Sequence, residues 1–552
     1  MKRLASTLFL ILILLGGTVQ LFRLVEVVQG EVPSLRAKDA AGEQKTIVIL
    51  AQFPDIKHHF TREYVHRRVF VELNEYLNEA SYGRTWLTGD TTQKWYTMPK
   101  EASDYDAVME AGVRMWFSDW RKWADNIVPM VHDAINLADR DVDFSKFRRT
   151  IVVFGIQTEG TAWYAVGGGG GTGALAGLAL KTPSGQVIRG ACMVNADAHL
   201  GMFAHEFIHQ LGGFEGGIYY DSLNDMRGKL RVAVDLYDIE PYLIPRGDFY
   251  GVVGYYPRYF GPWDPMSQHT ADPKRPPALP SAFTKLRLGW IADSQVATAK
   301  PGEASTLGLD PLELPTSGSL ALKIPLSPFR YYLIENRQQV GFDSVLPSSG
   351  VLVYTVDDNV RELTTGIIKL VDANPSVPRF GDAAFDTRRG KNSTFIDSRN
   401  NLAIILLAKT DLSYNIHVTT AKESGRALTV RDSLSTAENA ILQAEHDGRT
   451  VGIDEAKLAL QQAAKAFSDG DYDKAENMSR TAKSAAEKAT KPAIATTARA
   501  ETTPQPMLEF QGIRLVIPVV VLAVAVIAAV VFLRNRRKMS VERKSPASSS
   551  LS

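Results

Sequence analysis

Two histidines four residues apart, with a glutamate beside the first, constrain this chain more than any other feature. His205-Glu206-Phe207-Ile208-His209 lies inside the run Gly201-Met-Phe-Ala-His-Glu-Phe-Ile-His-Gln-Leu-Gly-Gly213. Positions i and i+4 share a face on an α-helix, so the segment must be helical for its two imidazoles to act together. Apolar Met202, Phe203, Phe207, Ile208 and Leu211 flank the polar triplet, which predicts a mostly buried helix with one polar face. On such a face, neutral His205 and His209 can grip one Zn2+ while Glu206 points at the water completing the coordination. The metal acidifies that water and polarises a peptide carbonyl, and the carboxylate takes the proton. The pattern therefore points to hydrolysis of an amide.

The ends of the chain carry a different signal. Lys2 and Arg3 precede the apolar run 8–15, with Gly16 and Gly17 behind it, the layout of a secretory signal within residues 1–31. No small-x-small cleavage site follows, so an uncleaved anchor stays open. Residues 515–533 are nearly all Val, Ala, Leu and Ile, with Pro518 and no charge, and Arg534-Asn-Arg-Arg-Lys538 follows. This predicts a transmembrane helix over 513–534, with a cytoplasmic tail over 535–552. The expected location is the cell membrane, single-pass, with the large N-terminal part outside and the lipid bilayer as a partner.

Composition agrees with an extracellular enzyme. A net charge of +1 gives no reason to expect nucleic acid as a partner, and 45% hydrophobic residues supply ample core. Cys192 is the single cysteine, which excludes an intrachain disulfide and lends little support to latency through a metal-bound thiol. Asn392-Ser-Thr394 and Asn477-Met-Ser479 are glycosylation sequons.

Between the ends, residues 45–53 and 150–154 read as buried strands, because their apolar runs are short and β-branched. Residues 61–78 and 107–137 have helical periodicity. Strand, helix, helix, strand and then the histidine-bearing helix imply an α/β (α+β) domain over 45–300. Gly167 to Gly171 lacks the Gly-Lys-Ser/Thr ending of a phosphate loop, leaving a mobile loop near the cleft or a plain connector. Alternating segments at 320–324, 331–335, 351–356, 402–407 and 414–418 predict a β-sandwich-like unit over 301–425. Three helical stretches with apolar residues three and four apart, the last through Ala475, Met478, Ala482 and Ala485, broken at Gly448 and at Asp469-Gly-Asp471, predict a small helical bundle over 430–490. Residues 491–512, rich in Thr, Ala and Pro, read as an extended linker.

With these pieces placed, the chain resembles the immune-inhibitor-A-like family of secreted metalloproteases, metzincin-type peptidases, over residues 45–358. The resemblance is carried by Ala80-Ser-Tyr-Gly83, Leu87-Thr-Gly-Asp90, Asp139-Arg-Asp-Val-Asp-Phe-Ser145, the histidine-bearing segment with Gly212 three residues past His209, and Asp235-Leu-Tyr-Asp238. It continues through Trp263-Asp-Pro-Met266, Lys285-Leu-Arg-Leu-Gly-Trp-Ile291, Tyr332-Leu-Ile-Glu-Asn-Arg337, Gly341-Phe-Asp343 and Ser349-Gly-Val-Leu-Val353. It implies a metzincin-like fold, one catalytic Zn2+ held by His205 and His209, Glu206 as general base and acid, and Met266 as the Met-turn floor beneath the metal. A structural Ca2+ is conceivable within this class, though no specific motif here supports one.

The third ligand departs from the family pattern. Gly212-Gly-Phe-Glu215 stands where the family continues with Leu-Pro-Asp-Leu-Tyr-Asp, and Asp-Leu-Tyr-Asp returns only at Asp235. Either residues 218–234 form an inserted hairpin that delivers Asp235 to the metal, or Glu215 binds in register. Asp235 is favoured because its tetrapeptide is retained. His269 and Tyr237 are the nearest candidates for stabilising the oxyanion. The resulting expectation is a membrane-anchored extracellular zinc endopeptidase acting on protein or peptide substrates. The alternative is a catalytically inactive surface structural or adhesive protein with a protease-like domain.

Overall fold

A computed structural model of the protein describes residues 40–105, 120–156, 178–189, 191–211, 218–219, 244–245, 255–256, 261–266, 276–358, 368–377 and 380–492. The described residues up to Lys491 belong to one compact unit.

The first sheet contains β1 (Gly42–Gln52), β2 (Thr85–Thr91), β3 (Tyr96–Thr97), β4 (Arg149–Phe154) and β7 (Cys192–Asn195), ordered β2-β1-β4-β7 with β3 also on β1. Every pairing in it is parallel. Parallel strands joined by helical crossovers are covered on both faces, and the side chains divide accordingly. Val48, Leu50, Ile151, Val153, Cys192 and Val194 enter one core. Ile47, Ile49, Ala51, Val152, Phe154 and Met193, the alternate positions, enter another. Between β4 and β7 in sequence come β5 (Leu178–Lys181) and β6 (Val187–Arg189); β5 pairs with β6 on one side and β8 (Ile218–Tyr219) on the other, and β9 (Ile244–Pro245) and β10 (Tyr255–Tyr256) form a separate two-stranded ribbon.

On the first face sit α1 (Arg62–Arg67), a π-helical segment Arg68–Leu73, and α2 (Asn74–Ala80), which bury Val65, Val69, Leu73 and Leu77. The second face is covered by α3 (Trp120–Ala138) through Met130, Val131, Ala134 and Ile135. The histidine-bearing helix α4 (Leu200–Leu211) shares the first face with α1 and α2. So does the short helix α5 (Ala282–Arg287).

That core continues onto a second sheet of β11 (Val296–Thr298), β13 (Ala321–Pro325), β14 (Arg330–Arg337), β15 (Gly350–Asp357) and β16 (Ile368–Val371). Leu333, Leu352, Tyr354, Val356 and Ile368 join the core that holds α4. The alternate residues Tyr332, Ile334, Val351 and Val353 pack against a third sheet of β12 (Ser305–Leu309), β17 (Thr394–Asp397), β18 (Leu402–Thr410) and β19 (Ser413–Thr419). Ile405, on the far side of β18, meets Ala427, Val430, Phe467 and Ala475 of three further helices. These are α6 (Ser424–His446), α7 (Ile453–Ser468) and α8 (Tyr472–Lys488). The succession is helix, sheet, helices, sheet, sheet, helices.

The expected fold class requires correction. The architecture is mixed α/β with several sheets, and among the described residues no helix is long and apolar enough to cross a membrane. The two longest helices explain this physically. Helix α3 carries Arg121, Lys122, Asp125 and Asp133, and α6 carries Arg426, Arg431, Asp432, Glu438 and Glu445. Charges at that density exclude a hydrocarbon environment. The expected span at 513–534, the linker before it from residue 493 on and the tail after it lie outside the described residues. The described residues therefore give the expected terminal transmembrane helix no support.

Candidate functional site

Helix α4 is built for burial. Met202, Phe203, Ala204, Phe207, Ile208 and Leu211 point into the core, and three polar side chains are buried with them: His205, Glu206 and Gln210. Its C-terminal end is fastened to the first sheet. Gln210 Nε2 donates to Thr150 O at 2.9 Å, and Arg149 donates to Gln210 O at 2.9 Å while its Nε donates to Gln44 Oε1 at 2.8 Å. A guanidinium at the carbonyl end of a helix also complements the helix dipole.

His205 is fixed by a segment 60 residues away in sequence. Its Nδ1 lies 2.8 Å from the carbonyl oxygen of Pro265. A carbonyl only accepts, so Nδ1 carries the proton and the lone pair resides on Nε2. Burial pushes the imidazole pKa down to about 4, with the Pro265 contact partly opposing it, so the ring is neutral at physiological pH. A neutral imidazole with a carbonyl on Nδ1 and its lone pair on Nε2 is the arrangement of a metal ligand. Glu206 is buried alongside, its Oε1 3.9 Å from His205 Nε2.

The segment that holds His205 is the Trp263-Asp-Pro-Met266 turn. Met266 is buried in the same core as α4, and its N–H donates to Asp264 Oδ1 at 2.7 Å. The other Asp264 oxygen accepts from Ser281 N–H at 2.7 Å and from the Thr284 hydroxyl at 3.0 Å. Ser281 is the N-cap of α5. One buried carboxylate thus ties the turn to the start of that helix.

Behind the turn lies an ionic cluster. Arg337 is fully buried and donates to Trp263 O at 2.8 Å and Leu279 O at 2.9 Å. Its remaining N–H groups reach Asp343 at 2.7 Å, Glu335 at 3.0 Å and Glu313 at 3.2 Å. Burial alone would lower the Arg337 pKa; these three carboxylates outweigh it and keep the guanidinium charged. Lys285 Nζ donates to Tyr82 OH at 3.0 Å and to Leu312 O at 3.1 Å. Burial brings its pKa down to about 8 against the upward pull of Asp343, Glu313 and Glu335.

Of the residues expected at the site, His205, Glu206 and Met266 are assembled around one turn of helix. His209 follows on the same helix, and its side chain lies outside the described residues, as do Glu215, Asp235, Tyr237 and His269. Among the described residues no group of three His, Cys, Asp or Glu side chains could hold a metal ion. Cys192 is fully buried on β7, and burial together with the Glu206 charge raises its thiol pKa, so it remains a neutral core residue.

Asp264 and Arg337 had no role in the sequence reading, although both lie in motifs singled out there. The available signal was charge on an apolar face. Glu335 and Arg337 alternate with buried Ile334 and Asn336 on a strand whose inward face begins with Leu333. Compared with known proteins, the chain matches no family model, and no curated protein matches it.

Proposed function

We propose that this chain is a zinc-dependent endopeptidase that hydrolyses peptide bonds in protein or peptide substrates. The observation that carries the reading is the buried, neutral His205, whose tautomer is set by Pro265 O beside the buried carboxylate of Glu206. The donor chemistry fits zinc: His205 through Nε2 and His209 one turn further on would hold the ion, with Asp235 or Glu215 as the carboxylate ligand. When bound, zinc would supply an acidified water and Lewis-acid polarisation of the scissile carbonyl. Glu206 takes the proton from the attacking water and returns it to the leaving amine nitrogen. Pro265 O keeps the His205 proton on Nδ1, away from the reacting side of the ring. Met266 forms part of the apolar floor, keeping bulk water from beneath the site.

A second reading, an inactive surface protein with a protease-like domain, is favoured by the displaced sequence at Gly212 to Glu215. Retention of Glu206 opposes it, because a site without chemistry has no need of a base. One experiment separates the two. Zinc content of the purified protein is measured together with cleavage of a denatured protein, using Glu206→Ala as the control. Stoichiometric zinc and cleavage that disappears in Glu206→Ala are expected. Zinc without cleavage in the parent would favour the second reading.

A further inference from the structure

We propose that Arg337, a residue of the second sheet, is the positioning residue for the first zinc ligand, so that the β-rich part of the chain is a working component of the active site. The inference rests on the zinc reading of His205 given above. The path is short and consists of hydrogen bonds. His205 Nδ1 donates to Pro265 O, and Trp263, two residues earlier in the turn, gives its carbonyl to Arg337 Nη1 at 2.8 Å. Arg337 Nη2 holds Leu279 O at 2.9 Å, just before α5, and α5 in turn grips Asp264 through Ser281 and Thr284. The turn is therefore clamped from two sides, and both clamps lead back to one guanidinium.

The carboxylates around Arg337 aim it. Asp343 accepts from both Nε and Nη2 while its other oxygen accepts from Leu279 N–H at 2.7 Å. Glu335 accepts from Nη1, from Tyr354 OH at 2.8 Å, and from Ala282 N–H at 2.5 Å. Strand alternation places Glu335 and Arg337 on the face with Leu333, towards α4. A buried ionic cluster contributes little net stability, since desolvation offsets the attraction between its charges. What a planar, multiply bonded guanidinium does supply is fixed geometry. Lysine, a point charge with three donors on a flexible stem, cannot span the two carbonyls and the carboxylates together.

The test uses the full-length chain and three readouts: zinc affinity by chelator competition, the visible spectrum of the Co2+-substituted protein, and thermal unfolding of the metal-free protein. Arg337→Lys is expected to unfold cooperatively at a lower temperature, to lose about 10- to 100-fold in zinc affinity, and to shift the Co2+ spectrum. Phe467→Leu, in the core of the distant helices, should lower the unfolding temperature while leaving affinity and spectrum unchanged. A folded Arg337→Lys with parental affinity and spectrum would overturn the inference. So would an equal loss of affinity in Phe467→Leu, since the effect would then be general loosening. If Arg337→Lys does not fold, Thr284→Val removes one hydrogen bond to Asp264 in an isosteric side chain; a few-fold loss of affinity is expected, and unchanged affinity would overturn the inference. A parent chain that takes up no zinc overturns the zinc reading together with this one. A parent that binds zinc no better than folded Arg337→Lys overturns this one alone.

Discussion

At the scale of single residues, the site depends on which atom carries a proton. On the proposed zinc reading, His205 could serve as a ligand only as the Nδ1–H tautomer, and Pro265 O selects that form. Glu206 is the group whose removal should separate chemistry from metal binding. Glu206→Gln is expected to lower the cleavage rate of a denatured protein by about 10²- to 10⁴-fold while zinc content stays at the parental value; a fall in zinc content alongside the rate would mean that the carboxylate also supports the metal. Gly89 illustrates a different constraint. It has φ +137°, and a Cβ placed there would lie 1.8 Å from Thr46 O on β1. Gly89→Ala must therefore push β2 away from β1, and we expect about 1–3 kcal/mol of destabilisation by chemical denaturation. Parental stability would show that the backbone relaxes without loss of pairing. The buried helix that carries His205, Glu206 and His209 was legible in the sequence, because apolar residues flank the motif at helical spacing. Asp264 and Arg337 were not legible as site residues. Their partners are main-chain groups brought close by folding, and the identity of a side chain says nothing about a carbonyl 74 residues away.

Among the elements, the strands with continuous β-branched cores were the easiest to read. Residues 150–154 became Arg149–Phe154, and 351–356 became Gly350–Asp357. Short or edge strands such as Val296–Thr298 and Thr394–Asp397 carry too few apolar residues to stand out, and their pairing is decided by neighbours. The helix expected over 61–78 contains a π-helical stretch, Arg68–Leu73, between its α-helical ends. The wider turns of that stretch suit the four-residue spacing of Val65, Val69, Leu73 and Leu77, which all stay buried in the core that holds α4, so the periodicity marked the buried face. In the last helices the spacing marked Met478 and Ala485 as seam residues, whereas Ser479 and Ala486 are the ones buried. The junction between β19 and these helices holds His417, fully buried and hydrogen-bonded to Thr306 Oγ1 at 2.9 Å and Tyr472 OH at 3.0 Å. Burial lowers its pKa to about 4. The unfolded chain takes up this proton near pH 6.5 and the folded chain only near pH 4, so the stability due to neutral His417 is complete above pH 6.5 and is lost as pH falls to 4. Replacing His417 with Gln should reduce the fall in unfolding free energy over that window by on the order of 2 kcal/mol. His205 titrates in the same range in metal-free protein, so the comparison is between variant and parent, and an unchanged slope would contradict the assignment.

Across the whole molecule, the first two sheets are not independent bodies. The core that buries α4 also buries Leu312, Leu320, Leu333, Leu352 and Tyr354, and Arg337 reaches back to the turn that holds His205. A fragment ending at residue 300 would expose that core and leave Trp263 O and Leu279 O without their guanidinium. We expect it to lack a cooperative calorimetric transition, whereas a fragment over 40–423 should retain one. A cooperative transition in the shorter fragment would show that the first sheet folds by itself. Such coupling across layers is invisible in motif order, which reports neighbours along the chain and not across a core. The central claim, that His205 offers Nε2 to a zinc ion, is tested most directly by zinc-edge X-ray absorption of the full-length protein loaded with one equivalent of Zn2+. The spectrum should contain imidazole nitrogens at about 2.0–2.1 Å, and His205→Ala should lose one of them. A parent spectrum without imidazole scattering, or one left unchanged by His205→Ala, would contradict the account.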